Sequence, residues 1–152
     1  MYYITGIIAC AILLIATGLY QGRRSFDDRE IKGPITLSSE WIEITPDKPL
    51  KPEREYQQIV LSLSEPFLGD FEAKGVRLLD GSIITPQVQL VDQNGDTFDL
   101  KYGGFRGRMN IYYSNFDQLP KDREYRTVRI RSEKPINCKR ILWSCYYQRD
   151  LN

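Results

Sequence analysis

Three groups of residues in this 152-residue chain have types and spacing that could do chemistry. The first is Lys101-Tyr-Gly-Gly-Phe-Arg-Gly-Arg108. Aromatic rings beside arginines stack on sugars or bases and contact phosphates, so Tyr102, Phe105, Arg106 and Arg108 form a candidate ligand-binding tip. Gly103, Gly104 and Gly107 would build a flexible loop around them. No Gly-Lys-Ser/Thr follows the glycines, so this is not a P-loop. The plain alternative is a partly exposed loop whose arginine stems lie along apolar surface.

The second group is basic: Arg123, Arg126, Arg129, Arg131, Lys134, Lys139 and Arg140. Arg129 and Arg131 fall on one face of a strand and are the candidate basic face. Nucleic acid would need this stripe uncompensated, but Glu124 and Glu133 interrupt it and the net charge is only +1. No nucleic-acid partner is therefore expected. Residues 1–100 carry 9 Lys/Arg and 15 Asp/Glu, and residues 101–152 carry 12 and 5. That asymmetry favours cross-strand pairing between the two halves. A basic face resting on anionic lipid headgroups is the other reading.

The third group is Asp92, Asn94, Asp96 and Asp99, which invites a calcium reading. An EF-hand loop needs glycine at its sixth position and Glu at its twelfth. Counted from Asp92, the glycine comes fourth and the twelfth residue is Gly103. The motif fails, and a solvated turn accounts for these residue types. No metal site is expected. The chain has no histidine, which removes the usual general base near neutral pH and the commonest metal ligand. No Ser/His or Cys/His constellation can form, no cofactor is implied, and a carboxylate pair is the one catalytic arrangement left open.

These residues must be held by strands. Short β-branched and aromatic runs separated by Pro, Gly, Asn and Asp occur at about 35–44, 57–64, 75–79, 87–91, 97–102, 109–113, 126–131 and 140–147. Their spacing predicts an all-β domain, an antiparallel β-sandwich. No long helical period follows Arg24. The sharpest local expectation concerns Asn94-Gly95. A two-residue loop would set Leu90 and Val88 on the face of Asp99 and Lys101. A three-residue loop, Gln93-Asn94-Gly95, pairs Asp92 with Asp96, Leu90 with Phe98 and Val88 with Leu100. Burial favours the second register, with Gly95 at positive φ. In the last strand, Ile141, Trp143 and Cys145 share a face and are expected in the core.

The run Thr127-Val-Arg-Ile-Arg-Ser-Glu-Lys-Pro-Ile, with a Trp-containing strand after it, resembles the late strands of jelly-roll sandwiches of the galactose-binding type. The resemblance spans about a sixth of the chain and bears on fold alone. It implies a jelly-roll topology and assigns no residue a role.

The first twenty-two residues carry no charged side chain, and Arg23 and Arg24 end the run. A bilayer core about 30 Å thick takes about 20 apolar residues as helix. Residues 1–22 are thus expected to be a single transmembrane anchor, with residues 2–20 in the lipid bilayer and Tyr2, Tyr3 and Tyr20 at its interfaces. No basic residue opens the segment and Ala16-Thr17-Gly18 is a poor cleavage site, which argues against a signal peptide. Cys10 sits too early in the apolar run for lipoprotein processing. Arg23 and Arg24 point to a cytoplasmic domain, whereas β-rich domains on short anchors commonly face outward, so the side stays open.

Residues 23–34 then read as a charged linker and 35–152 as one β-sandwich domain. Cys138 and Cys145 would lie roughly 23 Å apart on one extended strand, beyond disulfide reach, unless the chain turns between them. The expected function is a membrane-anchored binding or interaction module with a protein or glycan partner. A structural subunit of a membrane complex and a small carboxylate-based hydrolase are the alternatives.

Overall fold

The computed structural model describes residues 24–52, 56–69, 75–114 and 119–148. The expected anchor, residues 1–22, lies outside them. Among the described residues there is no helix, and so none long and apolar enough to cross a membrane. Residues Asp28–Cys145 form one compact unit, and 24–27 and 146–148 belong to a second.

The described residues are all-β and antiparallel. Its strands are β1 (Arg24–Lys32), β2 (Ile35–Leu37), β3 (Ile42–Ile44), β4 (Gln57–Leu63), β5 (Val76–Arg77), β6 (Ile83–Ile84), β7 (Gln87–Asp92), β8 (Thr97–Arg106), β9 (Asn110–Ser114), β10 (Tyr125–Arg131) and β11 (Ile136–Gln148). Nine belong to one strongly curled sheet in the order β1-β11-β4-β9-β8-β7-β10-β3, with β2 also on β11. The small β5–β6 hairpin stands apart. Every expected run appears as strand. The run at 35–44, however, breaks at 38–41, because β2 pairs with β11 while β3 pairs with β10. The chain crosses there from one half of the sheet to the other. Residues 132–135 cross beside it, tied by the Ser132 amide donating to the Ser38 carbonyl at 2.7 Å.

Arg24–Lys32, read above as linker, is strand β1. Its charges are those of an edge strand, which sequence alone cannot tell from a solvated connector. Ile31 packs against the core, and Arg29 donates to the Lys48 carbonyl at 3.1 Å.

The β7–β8 hairpin takes the three-residue register. Val88 pairs with Leu100 and Leu90 with Phe98. The Asp92 amide donates to the Asp96 carbonyl at 3.0 Å, and Gly95 has φ of 88°. Val88, Leu90 and Leu100 are buried, and Phe98 packs against the core, so burial chose the register. Asp92 is itself buried. Its Oδ1 accepts from the amides of Asn94 (2.8 Å) and Asp96 (2.9 Å), and its Oδ2 from Arg123 Nη1 at 2.6 Å. Arg123 also reaches Asp96 at 2.6 Å and lies over the Phe98 ring. The acidic turn read for calcium is thus clamped by a guanidinium from the segment before β10.

Strand β8 is ten residues long and serves both halves of the sheet. Residues 97–100 pair with β7, and 101–106 pair with β9. Within the second stretch the register shifts, so that Tyr102 faces Tyr113 and Gly104 faces Tyr112. Gly104 adopts φ of 135°. The Tyr112 ring lies over Gly103, where an added Cβ would stand 2.7 Å from Cδ2 and closer still to Cε2. The absent side chain lets the strand bend under the ring. Both halves feed one core that includes Leu61, Leu90, Ile111, Val128, Ile130 and Ile141. Trp143 joins it and Cys145 is buried, and the alternate residues Leu142 and Ser144 are buried too, so β11 is covered on both faces there. Cys138 and Cys145 are both buried thiols on β11, and burial pushes the Cys138 thiol up to about 12.

Two outcomes follow from this packing. Gly103→Ala should destabilise the domain by about 1–3 kcal/mol in a denaturant titration, because the Tyr112 ring must be displaced. In a Tyr112→Ala background the same change should cost far less; equal costs would remove the ring as the cause. The second outcome concerns acid. Burial works against the charged form of Asp92, but the hydrogen bonds from Arg123, Asp96 and Asn94 outweigh it, so its carboxyl titrates below the ordinary 3.8. A depressed folded-state pKa means the stabilisation is complete above the ordinary carboxyl value and fades as pH falls through the lower one. Thermal unfolding of Arg123→Met should therefore depend less steeply on pH below that value than wild type.

Candidate functional site

The four residues of the expected tip do not meet at an exposed loop. Residues 103–106 are strand, with 104–106 paired to β9, and the turn comes later at Gly107, with φ of 69°. Tyr102 is partly buried against Tyr113, with centroids 5.8 Å apart at 66°. Phe105 packs edge-on against Phe67 at 5.7 Å and 80°. Arg106 points to the other face, where it grips Asp28 through Nη1 at 3.3 Å and Nη2 at 3.0 Å. Ser144 donates to the same carboxylate at 2.5 Å. Arg108 is exposed in the turn. The expectation of a loop came from the glycines, which here serve the bend under Tyr112.

The second candidate, Arg129 and Arg131, sits in an ordered surface. Strand β10 runs between β3 and β7, with Arg129 opposite Glu43 on one side and Gln89 on the other. Continuing the same register sets Trp41 beside Arg131, whose other neighbour is Gln87. Successive residues of a strand alternate faces, so these odd-numbered positions share the outer one. Two polar rows result. In one, the Arg131 guanidinium lies 4.6 Å from the Trp41 ring centroid, and its Nε donates to Gln87 Oε1 at 2.8 Å. In the other, Arg129 Nε lies 3.2 Å from Glu43 Oε1, an ion pair whose angle falls outside hydrogen-bond geometry. Arg129 also lies over Trp41 at 5.1 Å and reaches Gln89, whose amide donates to Asp99 at 2.8 Å. Trp41 carries two guanidiniums, an arrangement worth about 0.5–1 kcal/mol for each at an exposed site.

A pocket of about 240 Å³ opens beside the first row. Ser39, Thr85, Gln87, Arg131, Ser132 and Glu133 line it. These residues gather because both crossings, 38–41 and 132–135, pass this end of the sheet. Ser132 is 1% exposed, and its Oγ has no hydrogen-bond partner among the described residues. Elsewhere in the basic region Arg123 holds Asp92 and Asp96, and the neighbouring Glu124 is held by Lys51 at 2.6 Å. The cross-strand reading of the charge asymmetry fits Glu43–Arg129.

Trp41, Gln87, Gln89 and Ser132 were not singled out in the sequence. Trp41 stands between two serines and a strand, and only the β3–β10 register brings it to the arginines. Its odd-number match with Glu43 was the one available signal, and it needed the partner strand to be known. Among the described residues no group of acids and cysteines is arranged to hold a metal ion.

The outer rows are half-buried to exposed and contribute little to folding by themselves. Arg131→Met and Glu43→Gln should each shift the unfolding free energy by less than about 1 kcal/mol in a denaturant titration. A larger loss would assign the face a structural role. In comparisons with known proteins, no protein-family model, no curated protein and no solved structure matches this chain.

Proposed function

We propose that this chain is a membrane-anchored binding module. Residues 2–20 hold it in a lipid bilayer, and its recognition surface is the outer face around Trp41, Arg129 and Arg131. In this reading the curled sheet is a sandwich-like scaffold of the jelly-roll kind, and the face is one flank of it. The length and uncharged character of the opening segment support the anchor.

One observation carries the recognition surface. A tryptophan and two arginines, the residue types most enriched at binding hot spots, are fixed in cross-strand rows by Gln87, Gln89 and Glu43. Side chains already held in place lose little freedom when a partner arrives. The adjoining pocket gives the face a concave end, as small-ligand sites have.

The test uses the full chain in lipid nanodiscs, presented to a panel of immobilised oligosaccharides and to a displayed peptide library. At least one panel should yield a binder, and Trp41→Ala should weaken it at least about tenfold, the loss expected of a hot-spot residue. Binding indifferent to Trp41→Ala, or no binder in either panel, would overturn the assignment.

A further inference from the structure

We propose that one row of the outer face, Trp41, Arg131, Gln87 and Lys101, grips an extended acidic segment of a partner protein. This rests on the binding-module reading and names the class of partner.

The row follows from register. Arg131 pairs with Gln87, and continuing the β3 register sets Trp41 on its other side. Val88 pairs with Leu100, so Lys101 comes next in β8 on the far side of Gln87. All four side chains take the outer parity, and their inward neighbours Val88, Leu100 and Ile130 are buried. Adjacent strands lie about 4.8 Å apart, which puts the Arg131 and Lys101 backbones roughly 10 Å from each other.

What the row leaves open is all of one kind. Its one strong side-chain acceptor, Gln87 Oε1, is taken by Arg131 Nε at 2.8 Å. The terminal nitrogens of Arg131, Lys101 Nζ, the Trp41 indole N–H and the Gln87 amide nitrogen have no hydrogen-bond or ion-pair partner among the described residues. Each of these groups only donates. A partner that answers them must bring acceptors, and carboxylates bring several together with the opposite charge. The Arg131 guanidinium, stacked on Trp41 and held by Gln87, already presents its free edge as a fork for one of them.

The neighbouring groups set the width of the strip. In the second row Glu43 meets Arg129 at 3.2 Å and Asp99 meets Gln89 at 2.8 Å, so two carboxylates accompany one cation. Beyond Arg131, across the pocket, stands Glu133, which is exposed and forms no ion pair with it. The open cations thus lie on a strip one residue wide between acidic margins. A flat anionic bilayer or a nucleic-acid backbone would press its charges against those margins as well. A single extended peptide crossing the strands stays on the strip, and its alternate residues face the row about 7 Å apart.

Fluorescence anisotropy on the full chain in phosphatidylcholine nanodiscs tests this. The probe is a labelled peptide alternating Glu and Thr, with a peptide alternating Gln and Thr as its neutral twin. The acidic peptide should bind at least about tenfold more tightly than the twin, and added salt should narrow the gap. Lys101→Gln and Arg131→Gln should each weaken it by about three- to tenfold, the effect of losing one charged contact. Lys139→Gln removes the same charge from an exposed position on β11 and should leave the affinity unchanged. Lys101 is exposed, so its variant still decides the matter if Arg131→Gln does not fold. Equal losses at Lys139 and Lys101 would reduce the attraction to net charge and overturn the proposal. Phosphatidylserine vesicles or a single-stranded oligonucleotide that bind through Lys101 and displace the peptide would overturn it too, in favour of a lipid or nucleic-acid partner. If the acidic peptide shows no preference while a library peptide or an oligosaccharide binds through Trp41, the recognition face stands and the acidic partner falls. If nothing depends on Trp41, the binding-module reading falls first.

Discussion

The curl of the sheet depends on a missing side chain. Strand β8 passes from β7 to β9 between Leu100 and Lys101, and its pairing with β9 shifts register at Gly103 and Gly104, under the ring of Tyr112. Any Cβ at Gly103 would meet that ring, and Gly104 uses a positive φ that other residues resist. Residues 97–100 belong to one half of the sheet and 101–106 to the other. The two halves then close over one core, and the crossings at 38–41 and 132–135 are brought together at one end. The pocket and the Trp41 face exist because of that juxtaposition. Strand register does the rest, since a slip by one residue in β10 would bury Arg129 and Arg131 and expose Val128 and Ile130.

Charge is distributed to suit this arrangement. Strand β10, from the basic last third of the chain, lies between strands from the acidic first part. Arg123 is taken by Asp92 and Asp96, and Arg129 by Glu43. Arg106 is likewise taken by Asp28. Arg131 differs in its company. It rests on an aromatic ring and an amide, so its charge faces the pocket without a carboxylate directly on it.

Much of the fold was legible because it depends on local alternation. The β7–β8 hairpin is the clearest example: only one of two registers buries Val88, Leu90, Phe98 and Leu100 together. Ile141, Trp143 and Cys145 followed from the same rule. What escaped was set by long-range pairing. Arg24–Lys32 reads as a linker because its charges suit solvent and an exposed strand edge equally. The glycines at 103 and 104 read as a loop because their role depends on Tyr112, eight or nine positions away. The recognition face was half legible. Arg129 and Arg131 stood out by strand alternation, but Trp41 joins them across about ninety residues of sequence.

Native-state hydrogen exchange would test most directly the claim that one continuous sheet, bent at β8, positions this site. Amides of β7 and β10 on one side, and of β4, β9 and β11 on the other, should share a single opening free energy equal to that of global unfolding. Two separate sets of protection, with the β7–β10 half opening independently of the β4–β9–β11 half, would contradict the account.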